Sequence, residues 1–456
     1  RRSAPNLGPA SMPKSVPALC LQLLDPPASR LGELRSICLD LHEVLTRLAG
    51  ACPGAGLGRS DLRAEHGRAI GGTWAALCLQ DFTRTRAFAE GVLAAVRRCR
   101  RRSGAGPVHV LYAGCGPFAS LVLPTMAALT PEEVRFTLID LNAESLGAAK
   151  ATLSALGWLP FVREFRCADA CTWALDSAAD ADVLLSETLN GALRVEPFVA
   201  ILMNLVPQLA PTALLVPEEV RVSAVLCSPA RRMANKLGQV VPGPAQLELG
   251  TVMTVDRDRA VRWAGRAAAR QEPFPAVQLD LPADRQGCDQ LSLETDVTVH
   301  GGIHLPRDAS GLTLPWRIRS IAEVPPGAKA IRFQYRLGEE PEYKTELRGT
   351  ARGSRIPWPV LRRWLSLVGG EQPRLGQFVG VQGGQGLGLQ AALAEIRQPG
   401  EVVQALQPEM QQECLGGAVH HRPSHHRLAR HRLDQLPLQQ APHLVGAAAD
   451  AAEASR

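Results

Sequence analysis

The chain predicts an α/β fold: a doubly wound, mostly parallel sheet followed by a β-rich domain. Three observations predict it. From residue 107 onward, short apolar runs alternate with stretches of helical periodicity. A glycine-rich turn, "YAGCGP", sits between the first such run and the first helix. Past about residue 225 the texture changes to strand-like segments separated by turn residues, with little helix. Strands alternating with helices are the pattern of a parallel sheet covered on both faces.

The elements follow in order. Residues 31–50, "LGELRSICLDLHEVLTRLAG", place apolar residues at helical spacing and end in glycine, which predicts one helix. "ACPGAGLGRS" reads as a linker. Residues 73–102 predict one long helix or two short ones, ending in the basic run "RRCRRR". Cations at a helix C-terminus are favoured by the macrodipole, so this run reads as a solvated helix end. "VHVLYAG" predicts a strand, "FASLVLPTMAAL" a helix, "VRFTLID" a strand and "AESLGAAKATLSALG" a helix. "FVREFRCAD" and "ADVLLSE" predict strands separated by a short acidic helix. "EPFVAILMNLVPQL" predicts a helix and "ALLVPEEVRVSAVL" a strand pair. "LSLETDVTVHGGIHL", "GLTLPWRIRS" and "KAIRFQYRL" supply the later strands. The resulting division is a helical segment and linker over 1–60, the α/β domain over 61–222, the β-rich domain over 223–365, and a low-complexity tail over 366–456.

Composition limits the classes. The 456 residues are 46% hydrophobic and 21% charged, enough for two or three sizeable cores in a globular protein. A net charge of +6 is mild, and no aromatics interleave with the basic run, which argues against a nucleic-acid partner. No apolar run reaches the length of a membrane span. Eleven cysteines without a CxxC pair fit free thiols in a reducing compartment, and a cytoplasmic location is the expected default. No cysteine or histidine spacing predicts a metal site. Six of the eleven histidines fall between 420 and 443, in a tail whose composition reads as disordered or out of frame. Met12 is a candidate initiator, which would make residues 1–11 a leader.

The chemistry concentrates at strand ends. In open α/β sheets ligands bind outside the carboxyl ends of the strands. Gly114 and Gly116 allow a tight turn and close approach to a ligand, and the next strand ends in Asp140, where a carboxylate can accept the hydroxyls of a ribose. NAD and S-adenosyl-L-methionine both carry a ribose. The dinucleotide fingerprint places a glycine three residues after the second one, where this chain has Ala119, with Pro117 and Phe118 between.

"GCGP" resembles motif I of class I S-adenosylmethionine-dependent methyltransferases, and "FRCADA" places Asp169 where such enzymes contact adenine. The resemblance implies a Rossmann-like sheet that binds S-adenosyl-L-methionine. "SETLNGALRVE" resembles the double-glutamate loop of the protein arginine methyltransferase family, in which a Ser-Glu pair ends a strand and a second glutamate follows nine residues later. Glu187 and Glu196 hold that spacing, and Leu193 keeps an apolar position in the loop. Two carboxylates can clamp a planar guanidinium through charge-assisted hydrogen bonds. "CLQDFTRT" resembles the family's helix that closes over the cofactor. That match implies Arg84 as the partner of the donor's carboxylate and Asp81 as a neighbour of the glutamate loop. The family's barrel follows its catalytic domain, as the β-rich segment does here.

The resemblance spans roughly 61–350. It departs where Tyr112 replaces a common acid, Phe118 a third glycine, and Pro315 the histidine expected before Trp316. "RAEHGRAIGGTWAA" also lacks the family's tyrosines. The implied function is methyl transfer to a guanidinium or amine nitrogen on a cationic peptide or small molecule, with self-association into a homodimer left open. A small-molecule O- or N-methyltransferase on the same fold, and a non-catalytic donor-binding scaffold, are the alternatives.

Overall fold

A computed structural model describes residues 15–25, 30–50, 57–103, 106–176 and 181–349. The tail, residues 1–11 and Met12 lie outside the described residues. The chain begins with helices α1 (Val16–Leu24) and α2 (Leu31–Gly50), whose buried faces carry Leu19, Leu23, Leu34, Leu41 and Leu45. A small hairpin follows, β1 (Leu62–Ala64) and β2 (Gly67–Ala69), then α3 (Gly72–Leu77) and the long α4 (Phe82–Ser103).

The α/β layer runs β3 (Val108–Ala113), α5 (Leu123–Ala128), β4 (Val134–Asp140), α6 (Ala143–Ala155), β5 (Val162–Cys167), β6 (Val183–Ser186), α7 (Phe198–Leu205) and β7 (Leu214–Val216). These five strands form one parallel sheet in the order β5-β4-β3-β6-β7. Its central strands are buried almost end to end, as a sheet covered on both faces requires. The chain steps from β3 outward to β4 and β5, then returns to place β6 on the other side of β3. That reversal opens a crevice at the carboxyl ends of β3 and β6.

The second half is built on antiparallel strands. β8 (Glu219–Cys227) leads to α8 (Pro229–Lys236), β9 (Gln246–Val255), α9 (Arg257–Ala268), β10 (Val277–Asp280), β11 (Gln290–His300), β12 (Ile303–Leu305), β13 (Trp316–Ser320), β14 (Ala330–Arg336) and β15 (Glu342–Arg348). One sheet runs β12-β11-β8-β9 with β13 also on β11, and the other runs β10-β14-β15. The fold is therefore α/β with a parallel sheet followed by antiparallel, β-rich sheets. All of it belongs to one compact unit.

Helix α4 lies against both halves. Gly91 marks the closest approach: a Cβ there would stand 2.5 Å from Val299 Cγ1 on β11. A glycine inside a 22-residue helix is otherwise unfavourable, and here it admits the strand.

Three local expectations are corrected. The helix expected over "FASLVLPTMAAL" shrinks to Leu123–Ala128, because Ala119 takes a left-handed φ of 46° and the chain turns until Val122. The short acidic helix expected after β5 is, over its described residues, a single turn. Asp169 O accepts from Thr172 N and Trp173 N, and Asn204 Nδ2 binds the carbonyls of Ala170 and Trp173, which stops propagation. Where little helix was expected, the β-rich segment contains, over its described residues, the two α-helices α8 and α9. The second is amphipathic, with Ala260 and Trp263 buried and Asp256 capping its start.

Candidate active site

Gly114 and Gly116 follow β3 with φ of 77° and 64°, the left-handed region that suits glycine. Gly114 N and Cys115 N both donate to Ile139 O, so the turn is tied to the end of β4. A Cβ on Gly114 would lie 2.2 Å from Thr188 Cγ2, the residue after Glu187. The glycine turn and the glutamate loop therefore abut.

Asp140 ends β4 beside that turn. Its Oδ2 accepts from Gly116 N at 2.8 Å and its Oδ1 from Asn142 N at 2.8 Å. Asn142 in turn caps α6 through Glu144 N and Ser145 N. Burial pushes the Asp140 carboxyl above the usual carboxylate range, and the two backbone donors pull it part of the way back. Each oxygen keeps a second acceptor site for a hydroxyl group. Asp169 follows β5 and is partly exposed, with Oδ1 accepting from Cys171 N at 2.8 Å.

Glu187 directly follows β6. Its carboxylate and Arg84 form a buried ion pair through Oε2 and Nη2, with side-chain exposures of 5% and 9%. Arg84 also donates from Nη1 to Cys78 O at 2.7 Å, while its buried Nε has no partner. Asp81 fixes the start of α4. Its Oδ1 accepts from Arg84 N, and its Oδ2 accepts from Ser310 Oγ at 2.7 Å and Gly311 N at 2.8 Å. The short turn Gly311–Thr313 packs on the turn Gly191–Leu193 of the glutamate loop. Arg84 and Glu187, expected to serve different ligands, thus meet each other.

The loop closes on itself where Phe198 N donates to Thr188 O at 3.1 Å, which brings Glu187 and Glu196 to one base. Between them, Ala192, Leu193 and Val195 have φ of 61°, 56° and 68°. Such values are uncommon outside glycine and genuinely strained for a β-branched residue, at roughly 1–3 kcal/mol each. Neighbouring elements hold this path. Ala192 N donates to Thr295 Oγ1 at 2.8 Å, Tyr335 Oη to Leu193 O at 2.8 Å, Val195 N to Pro341 O at 3.1 Å, and Arg68 N to Val195 O at 2.9 Å.

Glu196 is pushed up to about 7, first by burial and then by Asp61, against the opposing charges of Arg84 and Arg68. The β1–β2 hairpin covers the residue after it: a Cβ on Gly67 would lie 2.8 Å from Pro197 N. Arg68 anchors the hairpin by donating to Asp61 and Glu340. Trp316 begins β13, and the guanidinium of Arg194 lies 3.8 Å from its ring centroid.

The structure thus gathers Gly114, Gly116, Asp140, Arg84, Glu187 and Glu196 around the crevice, with Asp169 at the end of the neighbouring strand β5. Sequence reasoning missed Arg68, Arg194, Thr295, Tyr335 and the hairpin. No short motif marks them, although Arg194 lies inside the recognised loop. Among the described residues no helix is long and apolar enough to cross a membrane, and the cysteines are free.

No model of a known protein family matches this sequence, and no curated protein sequence does. Among solved structures the chain is similar to the Trypanosoma brucei PRMT1 enzyme-prozyme heterotetrameric complex with AdoHcy. The identity is 13%, the match covers 60% of this chain and 92% of that one, and the TM-score is 0.41.

Proposed function

We propose that the chain is an S-adenosyl-L-methionine-dependent methyltransferase of the arginine-methyltransferase type, acting on a guanidinium or amine nitrogen of a peptide or small molecule. The observation that carries this reading is the contact between two turns. The glycine turn after β3 abuts, through Gly114 and Thr188, a loop that returns two glutamates to one base beside a buried arginine.

The residues fit the donor. Gly114 and Gly116 leave room for close approach, Asp140 offers acceptors for ribose hydroxyls, Asp169 stands beyond the next strand for the base, and Arg84 supplies a cation for a carboxylate. The donor supplies an electrophilic methyl group on a sulfonium. Glu187 and Glu196 hold and orient the acceptor cation, and positioning of this kind supplies much of the rate in a bimolecular transfer. Glu196, with its carboxyl near neutrality, can also hold the proton that the acceptor nitrogen sheds at Oε1 or Oε2.

A second reading, a donor-binding protein without turnover, is favoured by the buried pairing of Glu187 with Arg84. One experiment separates the two. Purified protein is incubated with a cell extract and isotopically labelled S-adenosylmethionine, and labelled products are sought by mass spectrometry. Label on arginine or amine nitrogens supports the enzyme. Donor binding with no labelled product supports the second reading.

A further inference from the structure

The strained loop between the two glutamates is held largely by groups outside it. Two come from the β14–β15 hairpin: Tyr335 Oη donates to Leu193 O at 2.8 Å, and Pro341 O accepts from Val195 N at 3.1 Å. The same hairpin tip reaches the β1–β2 hairpin, where Arg68 Nη2 donates to Glu340 Oε1 at 2.9 Å. Tyr335 itself is buried, and its ring is fixed by edge contacts with Phe274 at 5.1 Å and Tyr343 at 5.0 Å. Its hydroxyl is directed at the loop, onto Leu193 O. Ala192, Leu193 and Val195 would relax from positive φ if nothing opposed them.

We propose that Tyr335 is a positioning residue for Glu196: its hydroxyl holds Leu193 in the left-handed path that returns the second glutamate to the base of the loop. The inference rests on the reading of Glu196 as half of an acceptor clamp, but the positioning itself does not need an acceptor. Thr295, which accepts from Ala192 N at 2.8 Å, works in the same direction from β11.

The test uses the full chain with 13C-labelled glutamate side chains. The Glu196 signal, assigned by its loss in Glu196→Gln, is titrated by NMR in wild type, Tyr335→Phe, Thr295→Val, Thr295→Ser and Tyr343→Phe. Tyr335→Phe keeps the ring contacts and removes only the hydroxyl. It should move the Glu196 midpoint from about 7 toward the ordinary glutamate range, because a relaxed loop admits water. Thr295→Val should do the same. Thr295→Ser keeps the acceptor, and Tyr343→Phe loses only a contact to Met253 Sδ, so both should match wild type. With labelled S-adenosylmethionine and a synthetic Gly-Arg peptide, Tyr335→Phe should lower kcat by about 5- to 150-fold, the range for an unsatisfied buried carbonyl, with donor affinity within about twofold.

An unmoved midpoint in both Tyr335→Phe and Thr295→Val would overturn the proposal. If either variant fails to fold, the titration of the other decides it. A peptide that no variant methylates would count against the proposed function and leave the titration result standing.

Discussion

Arg84 and Glu187 stand 103 residues apart in the chain and meet as a buried ion pair at the carboxyl end of β6. Desolvating two charges is expensive, so such a pair adds little net stability, while removing one partner leaves an uncompensated buried charge. On the proposed function the pair is a relay, in which each partner has a second role for a bound ligand. If Arg84 turns to the donor's carboxylate, Glu187 is released for a cationic acceptor.

Glu187→Gln should consequently leave donor affinity unchanged or tighter, since the glutamine competes less for Arg84. Turnover should fall by at least about 10- to 150-fold, the value of a lost charge-assisted hydrogen bond. Arg84→Ala should weaken the donor first and also lower stability, because Glu187 is left buried without its cation. Isothermal titration beside a turnover assay checks both variants. A Glu187→Gln variant with weakened donor binding and full turnover would contradict the assignment.

Glu196 sets a pH dependence. Its carboxyl titrates at about 7 in the folded chain and near 4.5 when free, so a clamp that needs the anion should gain activity as pH rises through 7. Stability moves the other way. Between these values the folded state binds more protons than the unfolded state, so the group's contribution is present below about 4.5 and lost as pH rises through about 7. Melting temperatures of wild type and Glu196→Gln across pH 4 to 8 should diverge in that direction, with wild type losing ground as pH increases. Parallel melting curves at all pH values would mean that the Glu196 carboxyl is not raised by burial in the folded chain.

Gly91→Ala tests the seat of α4. Replacing a mid-helix glycine normally stabilises by about 1 kcal/mol. Here the added methyl meets Val299 Cγ1 at 2.5 Å, and overpacking costs about 1–3 kcal/mol. The clash should win, giving a lower denaturation midpoint with donor affinity unchanged. A midpoint above wild type would mean that β11 gives way easily.

Much of the α/β layer was legible because its cause is local. "VRFTLID" and "DVLLSE" are short runs whose apolar residues, Phe136, Leu138 and Ile139 in one and Val183, Leu184 and Leu185 in the other, fall on both faces, as a strand covered on both sides requires, and the acid closing each run marks its carboxyl end. The helix at Leu123–Ala128 was overextended because the left-handed turn at Ala119 leaves no trace in an alanine. The same holds within the candidate site. The spacing of Glu187 and Glu196 could be read directly, but the strained path between them runs through Ala192, Leu193 and Val195, none of which advertises a positive φ. Its supports come from Thr295, Tyr335 and Pro341, over 100 residues away, and a tyrosine in a strand reads as core. The pairing of Arg84 with Glu187 was hidden for another reason. Each residue matched a ligand role, and only the folded chain shows that the two pair with each other.

On the proposed function the crevice takes S-adenosyl-L-methionine. Isothermal titration of the purified chain with S-adenosylmethionine, and separately with NAD, tests it most directly, with Asp140→Asn beside wild type. S-adenosylmethionine should bind saturably and one-to-one, Asp140→Asn should weaken that binding, and NAD should give no heat. Binding of NAD with none of S-adenosylmethionine would contradict it.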